Sequence, residues 1–327
     1  MPEKSFPILF VTGTRIGDAV LSSGLIKRLH DEIPHARFTI AAGAPSAPLF
    51  AETPNLDRLI VMEKRRWAGH WLSLWGKTRG RRWGLVVDMR GSGLARVLSS
   101  RRRAVYRRNI GGPVEHKVIE AARVLKLEDD PPAPFLFTSP ETEQAAADYL
   151  GQGGPILAIA PGANWVGKTW PAERFGETAA RLLAPDGPLP NGRLLVIGGQ
   201  ADREAARMVK LAAPRGRIIG EPGQLDLLTT YACLKRARLF IGNDSGAMHL
   251  AAAAGAPTLG LFGPSDDRLY APWGPKARTV RTSRDFEMLR RADPELNQAI
   301  CHMFDLSAET VTNAALALLA DTEPHHG

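Results

Sequence analysis

Three polar side chains that could bind or transfer a charged group lie together in residues 242–249, which read Gly-Asn-Asp-Ser-Gly-Ala-Met-His. Asp244 and Ser245 stand where a helix is predicted to begin after a buried strand, and His249 follows one turn later. Free backbone N–H groups, the helix dipole and an imidazole at one place suit a diphosphate. A plainer interpretation makes Asp244 or Ser245 a helix cap and His249 a core residue. A Ser-His-Asp hydrolase is disfavoured, because the Gly-x-Ser-x-Gly elbow is missing.

A second polar segment, residues 161–171, follows the first predicted strand of the second half of the chain. Its Asn164 and Lys168 are side chains that can bind phosphates. Residues 162–169 also spell the G-x-x-x-x-G-K-T of a nucleoside triphosphate loop, but Pro171 interrupts the continuous helix that such a loop requires. The next predicted strand ends in two glycines rather than a magnesium-binding Asp, so an ATPase is disfavoured.

A third segment, residues 12–18, connects the first predicted strand to the first predicted helix. Gly13 and Gly17 allow a tight turn, and Asp18 stands at the start of the helix. Asp18 is therefore either a general base beside an acceptor hydroxyl or a residue that caps the helix. The G-x-G-x-x-G fingerprint of dinucleotide-binding proteins is absent.

The elements that must position these segments alternate along the chain. Short apolar strands are separated by patterns of 10–15 residues typical of helices, which indicates βαβ units and parallel sheets in both halves. The turn-rich residues 151–155 predict two domains, 1–150 and 151–327, in keeping with a length of 327 residues. Residues 307–320 predict a closing helix that either stays with the second domain or packs back on the first. Ligands of such folds bind at the carboxyl ends of the strands.

The positive charge is concentrated in residues 64–108. The chain has a net charge of +8, and this stretch holds 14 basic residues against one acid, Asp88. Trp67, Trp71 and Trp75 recur every four residues, which predicts one face of a helix. Such a segment attracts a polyanion, an anionic lipid surface or a phosphorylated substrate. The alternative is a solvated basic face with core tryptophans.

Other features of the composition restrict the class of protein. Two cysteines cannot form a disulfide framework, which predicts a reducing, cytoplasmic compartment. We recognise neither a membrane-spanning stretch of about 20 apolar residues nor a signal peptide. The expected location is therefore the cytoplasm, with attachment to an anionic membrane surface if the basic segment binds lipid.

Taken together, these segments resemble glycosyltransferase family 9, the lipopolysaccharide heptosyltransferases. The likeness is carried by Gly17-Asp18, by Pro161-Gly162-Ala163 with Lys168 and Trp170-Pro171, and by Asn243-Asp244-Ser245-Gly246-x-x-His249 with the following Gly255-x-Pro257-Thr258 and Leu261-Phe262-Gly263-Pro264-Ser265. Asp88-x-Arg90-Gly91-Ser92 is also similar to a family stretch.

The resemblance implies an α/β protein of the GT-B fold, with two Rossmann-like domains of parallel sheets facing across a cleft. It implies that the second domain binds a nucleotide-sugar, usually ADP-heptose, and that the first binds a lipopolysaccharide core or lipid A-type acceptor. It implies inverting transfer, with Asp18 as the base and Lys168 on the donor phosphates. The candidate residues are catalytic Asp18 and Lys168; donor-binding Asn164, Lys168, Asp244, Ser245, Gly246 and His249; and acceptor-binding Thr14, Arg15, Gly17 and Arg90.

Metal and partner expectations follow from what the motifs contain. No Asp-x-Asp bridge to a nucleotide-sugar is present, so we expect no metal and no cofactor, with helix N-termini and Lys168 in the metal's place. Thr14-Arg15-Ile16 and Gly24 depart from the family pattern on the acceptor side, which leaves the acceptor open. The alternatives are a transferase of the same fold with another donor or acceptor, and a nucleic-acid-binding protein that uses residues 64–108. The last gives the three polar segments no role.

Overall fold

The computed structural model describes residues 5–63, 66–108, 111–214, 216–296 and 300–323, with only the backbone of residue 66. The chain divides into two units, Met1–Ser139 and Pro140–Gly327. Within the described residues, no helix is long and apolar enough to cross a membrane.

The first unit contains a five-stranded parallel sheet in the order β3-β2-β1-β4-β5. The apolar run of β1 is buried along most of its length because it pairs with strands on both sides. The elements are β1 (Phe6–Val11), α1 (Ile16–Glu32), β2 (Ala36–Gly43), β3 (Leu56–Met62), α2 (Gly69–Thr78), β4 (Trp83–Asp88), β5 (Ser100–Val105), α3 (Leu94–Val97) and α4 (Lys117–Ala122), with short 3₁₀ turns at Ala47–Phe50, Arg66–Ala68 and Arg123–Leu125.

The second unit contains a six-stranded parallel sheet in the order β11-β10-β9-β6-β7-β8. Its elements are α5 (Pro140–Leu150), β6 (Ile156–Ala160), α6 (Ala172–Leu182), β7 (Arg193–Val196), α7 (Arg203–Leu211), β8 (Ile218–Ile219), α8 (Leu227–Leu234), β9 (Ala237–Asn243), α9 (Gly246–Ala253), β10 (Thr258–Phe262), α10 (Asp267–Tyr270), β11 (Ala277–Arg281), α11 (Phe286–Ala292) and α12 (Ala308–Asp321), with 3₁₀ turns at Val166–Lys168 and Gln200–Asp202.

Both sheets are doubly wound, which confirms the predicted α/β class. In each sheet the strand order reverses between the first strand and the fourth of that unit: β1 and β4 in one, β6 and β9 in the other. Strands on the two sides of such a reversal send their following loops in opposite directions, and ligands bind in the crevice that opens there. The fold therefore marks one place in each unit where polar loop residues can act.

The division into units differs from the predicted boundary at residue 150. Helix α5 belongs to the second unit, because it packs on α8 and its Glu143 pairs with Lys235 and Arg236 at the end of that helix. Helix α12 packs on α6 and on the β9–β11 side of the second sheet. The closing helix therefore contributes to the core of its own unit.

The prediction that three tryptophans lie on one face of a helix is wrong for Trp67. Helix α2 begins only at Gly69, and Trp67 lies before it in the left-handed region, with φ of 54°. Trp71 packs partly against the core of the first unit, whereas Trp75 is partly exposed. Trp67 is therefore not part of the helix that carries Trp71 and Trp75, because two successive left-handed residues turn the chain before that helix starts.

Two helical glycines of the first unit allow a matched test of how closely helix α1 packs on the loop at residues 132–133. A methyl group on Gly24 of α1 would overlap the carbonyl oxygen of Ala133, whereas one on Gly76 of α2 would meet no atom within 4 Å. Gly24→Ala should lower the free energy of unfolding by about 1–3 kcal/mol through overpacking. Gly76→Ala should raise it by about 0.5–1 kcal/mol, because Ala loses less backbone entropy than Gly.

Urea unfolding followed by circular dichroism measures both variants on the same unit. If Gly24→Ala proves as stable as the natural chain, the close packing of α1 on residues 132–133 is not present in solution.

Candidate active site

The candidate active site of the second unit lies where its strand order reverses. Ala160 of β6 pairs with Gly242 of β9, so the loops that follow these two strands begin next to each other at the edge of the sheet. The first of these loops carries Lys168 in the 3₁₀ turn Val166–Lys168, and the second carries Asp244 and Ser245 into helix α9. Two segments that the sequence singled out separately are thus neighbours.

Lys168 and Asp244 form an ion pair at this place. The Lys168 Nζ lies 3.0 Å from Asp244 Oδ2, and the two side chains are 15% and 8% exposed. The Nε2 of His249 lies 4.0 Å from the other carboxylate oxygen, Oδ1. An ammonium group has three donors, and the carboxylate accounts for one of them, so Lys168 is held in place with donors still available for an anion.

The start of helix α9 offers further donors. Ser245 occupies the cap position in an extended conformation, but its side chain makes no cap hydrogen bond. Its Oγ is buried and, within the described residues, has no hydrogen-bond partner. Gly246 is the first helical residue, and no side chain there blocks access to the N–H groups of the first turn. The Ser245 side chain therefore does not cap the helix, and its buried hydroxyl lies beside the helix N-terminus without a described partner. His249 is buried, at 5% exposure, as the plainer interpretation expects.

Asn243 holds the two loops together. Its side chain is fully buried at the end of β9. The Nδ2 donates to the carbonyl of Pro161 at 2.7 Å, and the Oδ1 accepts from the backbone N–H of Trp170 at 3.0 Å. One amide thus binds both ends of the loop that carries Lys168. In the sequence Asn243 stands out only as part of the family motif, and the signal for its structural role is a polar residue at the end of a buried strand.

The loop is also secured from its other side by residues 301–306. The N–H of His302 donates to the carbonyl of Gly167 at 2.9 Å, and the indole Nε1–H of Trp170 donates to the carbonyl of Leu306 at 2.9 Å. The Cys301 Sγ lies 3.2 Å from the carbonyl oxygen of Thr169. These contacts cannot be predicted from the sequence, because more than 130 residues separate the partners and no local pattern marks them. Asn164, by contrast, is exposed and makes no hydrogen bond within the described part of the chain.

In the first unit, the reversal point brings the loop after β1 next to the loop after β4. Asp88 pairs with Val11, and the N–H of Met89 donates to the carbonyl of Val11 at 2.8 Å. Asp18 lies in the first turn of α1 and is exposed, as are Thr14 and Arg15 before it, while Gly17 is half-buried. A Cβ on Gly13 would lie 2.8 Å from the Cβ of Asp18, so only glycine lets the strand end approach this carboxylate.

Arg90 is positioned by a turn that Asp88 closes. The buried Asp88 carboxylate accepts from the Arg90 N–H at 3.0 Å and from the Ser92 hydroxyl at 2.6 Å, and Gly91 supplies the left-handed conformation with φ of 61°. The Arg90 guanidinium then lies 4.7 Å from the ring centre of Trp71. Burial raises the pKa of Asp88 and lowers the pKa of Arg90. The predicted acceptor-side residues thus lie on two adjacent loops, with Arg90 stacked on an aromatic ring.

A family model supplies the identification. The model of glycosyltransferase family 9 (heptosyltransferase) matches residues 55–298, about three quarters of the chain. The chain belongs to glycosyltransferase family 9. The match includes the lysine loop, Asn243 and the start of α9, so the family resemblance seen in the sequence is confirmed.

Relatives of this family 9 chain agree with that assignment. Lipopolysaccharide heptosyltransferase 2 of Escherichia coli strain K12 is 23% identical, over 97% of this chain and 99% of the relative. Two solved structures share the fold: the glycosyl transferase family 9 protein of Veillonella parvula, with a TM-score of 0.77 at 21% identity over 98% of this chain and 99% of that one, and the E. coli ADP-heptose lipopolysaccharide heptosyltransferase II, with a TM-score of 0.76 at 20% identity over 98% and 100%.

The role of Asn243 predicts that changing one atom of its amide will loosen the lysine loop of this family 9 protein. Asn243→Asp keeps an acceptor for the Trp170 N–H but places a carboxylate oxygen against the carbonyl of Pro161. The free energy of unfolding should fall by about 1–3 kcal/mol, since a buried donor is lost and a buried acceptor is left unpaired.

Thermal unfolding checks this change. Thr258→Ser is the control. It changes another buried polar side chain of the same sheet, whose hydroxyl donates to the nearby carbonyl of Ala256 and not to another loop. Equal stability of Asn243→Asp and the natural chain would show that the amide does not hold the loop.

Proposed function

We propose that this protein transfers a heptose, or a related sugar, from an ADP-type nucleotide-sugar to a lipopolysaccharide core or lipid A-type acceptor. The observation that carries the proposal is the group formed by Lys168, Asp244, Ser245 and the start of α9 at the reversal point of the second sheet. Membership of family 9 and the names of the relatives support the choice of donor and acceptor.

The second unit is the donor-binding one in this proposal. Lys168 and the N–H groups of α9 bind the two phosphates, the Ser245 hydroxyl donates to a phosphate oxygen, and His249 supports the same anion from one turn further along. The flexible backbone of Gly246 lets a phosphate approach the helix end. Asn164 is assigned to the same donor because its exposed amide lies on the lysine loop.

The first unit binds the acceptor and supplies the base. Asp18 takes the proton of the acceptor hydroxyl as its oxygen attacks the anomeric carbon. The bond from that carbon to the diphosphate breaks, and its electron pair leaves with the nucleoside diphosphate, whose new charge Lys168 and the helix N-terminus stabilise. A single displacement of this kind inverts the anomeric configuration.

The acceptor proposed here is an anionic glycolipid. Thr14, Arg15 and Gly17 lie beside Asp18 on one loop, and Arg90 lies on the adjacent loop with its charge stacked on Trp71. Guanidinium groups bind carboxylates and phosphates in two-point contacts, which suits such an acceptor. The lipid places the reaction on the cytoplasmic face of the inner membrane, to which the protein attaches peripherally.

We also propose that the transfer needs no metal ion and no cofactor. Within the described residues, no three His, Cys, Asp or Glu side chains are grouped so that they could hold a metal. The charge of Lys168, the dipole of α9 and the Ser245 hydroxyl supply at the diphosphate what a divalent cation supplies elsewhere.

The donor site predicts a specific loss of ADP binding. Lys168→Met keeps the length of the side chain and removes its charge, so ADP should bind about 10–150-fold more weakly, the effect of losing a charge-assisted hydrogen bond. Isothermal titration with ADP measures this change.

Two further variants make that titration specific. Lys168→Met removes the ammonium partner of the buried Asp244, so Lys168→Met with Asp244→Asn should recover the stability lost but not the affinity. Lys235→Met removes another paired lysine of the same unit and should leave ADP binding intact. Unchanged affinity in Lys168→Met would remove Lys168 from the donor site.

The test of the whole proposal is the assignment of the base. Asp18→Asn keeps the size of the side chain and removes its basicity, so kcat for heptose transfer should fall by about 10²–10⁴-fold with little change in ADP affinity. Steady-state kinetics with ADP-heptose measures kcat, and NMR of the product gives the anomeric configuration.

The control is Asp31→Asn, which changes an exposed carboxylate near the far end of the same helix. Retained turnover in Asp18→Asn, or loss of ADP binding to the same degree, would exclude Asp18 as the base. The assay is run in EDTA, so a strict need for Mg²⁺, Mn²⁺ or iron would contradict the metal-independent mechanism.

A further inference from the structure

An apolar surface with a basic border lies on the first unit, on the exposed face of helix α2, whose Trp71 contacts Arg90. Leu72, Trp75, Gly76 and Arg79 are spaced three and four residues apart, so they share one face of α2, and all four are exposed. Trp67 lies just before this helix. We name Trp67, Leu72, Trp75 and Arg79 the α2 ridge.

The exposure of the ridge is unusual for these residue types. Trp67 is 97% exposed, Leu72 is 71% exposed and Trp75 is 37% exposed. Large apolar side chains that are exposed singly need no explanation, but a group of them marks an interaction surface. The left-handed backbone at Trp67 and Ala68, with φ of 54° and 55°, turns the chain there just before α2 begins.

Basic side chains border the apolar part. The Arg79 guanidinium lies 4.8 Å from the ring centre of Trp75, and Lys77 and Arg82 are exposed close by in the sequence. Within the described residues, none of these three basic groups has a carboxylate within ion-pair distance. The ridge therefore combines exposed tryptophan and leucine with positive charge that the protein itself does not neutralise.

A depression at the end of α2 adds to this charge. It has a volume of about 400 Å³, and Arg37, Arg58, Lys77 and Arg81 line it together with a single acid, Asp57. Asp57 is already paired with Arg37 and Arg81. The lining thus carries an excess of positive charge, which suits the phosphate of a lipid headgroup.

We infer that the α2 ridge docks the first unit on a bilayer that contains anionic phospholipid. Tryptophan and leucine enter the boundary between headgroups and acyl chains, and the basic side chains around them bind the headgroup phosphates, which is the composition of an interfacial helix. A nucleic acid would bind the basic side chains and stack on the aromatic rings, but it would gain nothing from an exposed leucine. The inference rests on the proposed function in one respect, because a lipid-linked acceptor requires the enzyme to work at a membrane.

The apolar part is tested by removing Trp67 and Leu72 together. Trp67→Ser with Leu72→Ser should lower binding to vesicles of phosphatidylglycerol and phosphatidylethanolamine by at least tenfold, measured by cosedimentation. Both side chains are exposed, so the thermal unfolding temperature should not fall. The control is Leu211→Ser, which removes a leucine of the second unit that is 68% exposed.

The basic part is tested by neutralising Lys77, Arg79 and Arg82 to Gln. Each basic group near an anionic surface contributes about fivefold to binding, so the triple variant should bind about a hundredfold more weakly. High salt should have a similar effect, and vesicles of phosphatidylcholine alone should bind poorly. Arg290→Gln with Arg291→Gln is the control, since it removes two exposed charges from the second unit.

Fluorescence quenching locates the insertion. Vesicles with brominated acyl chains should quench the natural chain, and Trp67→Phe should lose a large part of that quenching while it still sediments with the vesicles.

Several outcomes overturn the inference: undiminished vesicle binding by either ridge variant, loss of binding in the controls to the same degree, or tighter binding to double-stranded DNA than to anionic vesicles. Transfer to a deacylated, water-soluble acceptor separates this inference from the proposed function. If the natural chain binds vesicles but transfers no heptose to that acceptor, the proposed function fails. If it transfers heptose normally but does not bind vesicles, the docking surface fails.

Discussion

The ion pair between Lys168 and Asp244 is the interaction on which the candidate donor site depends. Both groups are largely removed from water, so each would be costly alone, and their attraction offsets part of that cost. A buried pair of this kind adds little net stability but fixes the direction of the ammonium group. The ion pair forms only if the loops that carry Lys168 and Asp244 are held in place by their backbones. Asn243 joins the end of β9 to both ends of the lysine loop, and residues 301–306 hold the lysine loop through further hydrogen bonds.

The same physical arrangement recurs in the first unit with different chemistry. A buried acid, Asp88, ends the interior strand β4, as Asn243 ends β9, and its hydrogen bonds close the short turn that carries Arg90. Asp88 therefore acts on Arg90 through the backbone. Burial raises the pKa of Asp88, whereas the hydrogen bonds that its carboxylate accepts from Ser92 and Arg90 favour the charged form and hold the turn. In both units, a polar side chain at the carboxyl end of a buried strand positions a nearby basic residue: Asp88 positions Arg90, and Asn243 positions the loop of Lys168.

The sequence predicted what local patterns can express. Continuous apolar runs become buried strands such as β1 and β6, and the three polar segments lie on loops after strands, as expected. The edge strand β5 was not predicted, because its three arginines face solvent and leave no apolar alternation. The left-handed turn at Trp67 was not predicted either, since tryptophan followed by alanine and glycine does not indicate it. The contacts between residues 301–306 and the lysine loop depend on tertiary packing across the second unit, which no short pattern records.

Glycine occupies two loop positions where the backbone comes so close to a carboxylate that no side chain would fit. Gly13 lets the end of β1 come close to Asp18, and a side chain there would push the carboxylate away from its loop. Gly162 lies against the carboxylate of Asp202, where any side chain would collide with it, so the start of the lysine loop is also restricted to glycine.

In the membrane docking that we propose, electrostatic attraction and apolar contact act over different ranges, and that difference gives them different tasks. At physiological ionic strength the potential of a surface charge is screened within about 8 Å. The arginines and lysines near α2 can therefore attract an anionic surface only once the protein is already close, and they raise the rate of productive encounters. In the proposed docking, Trp67 and Leu72 act only on contact, but burial of their apolar surface would not weaken with salt, so they would set how long the protein stays bound. A surface built from charge alone would release the enzyme whenever the ionic strength rose. One built from apolar side chains alone would bind neutral and anionic lipid alike, so the combination gives both selectivity and residence.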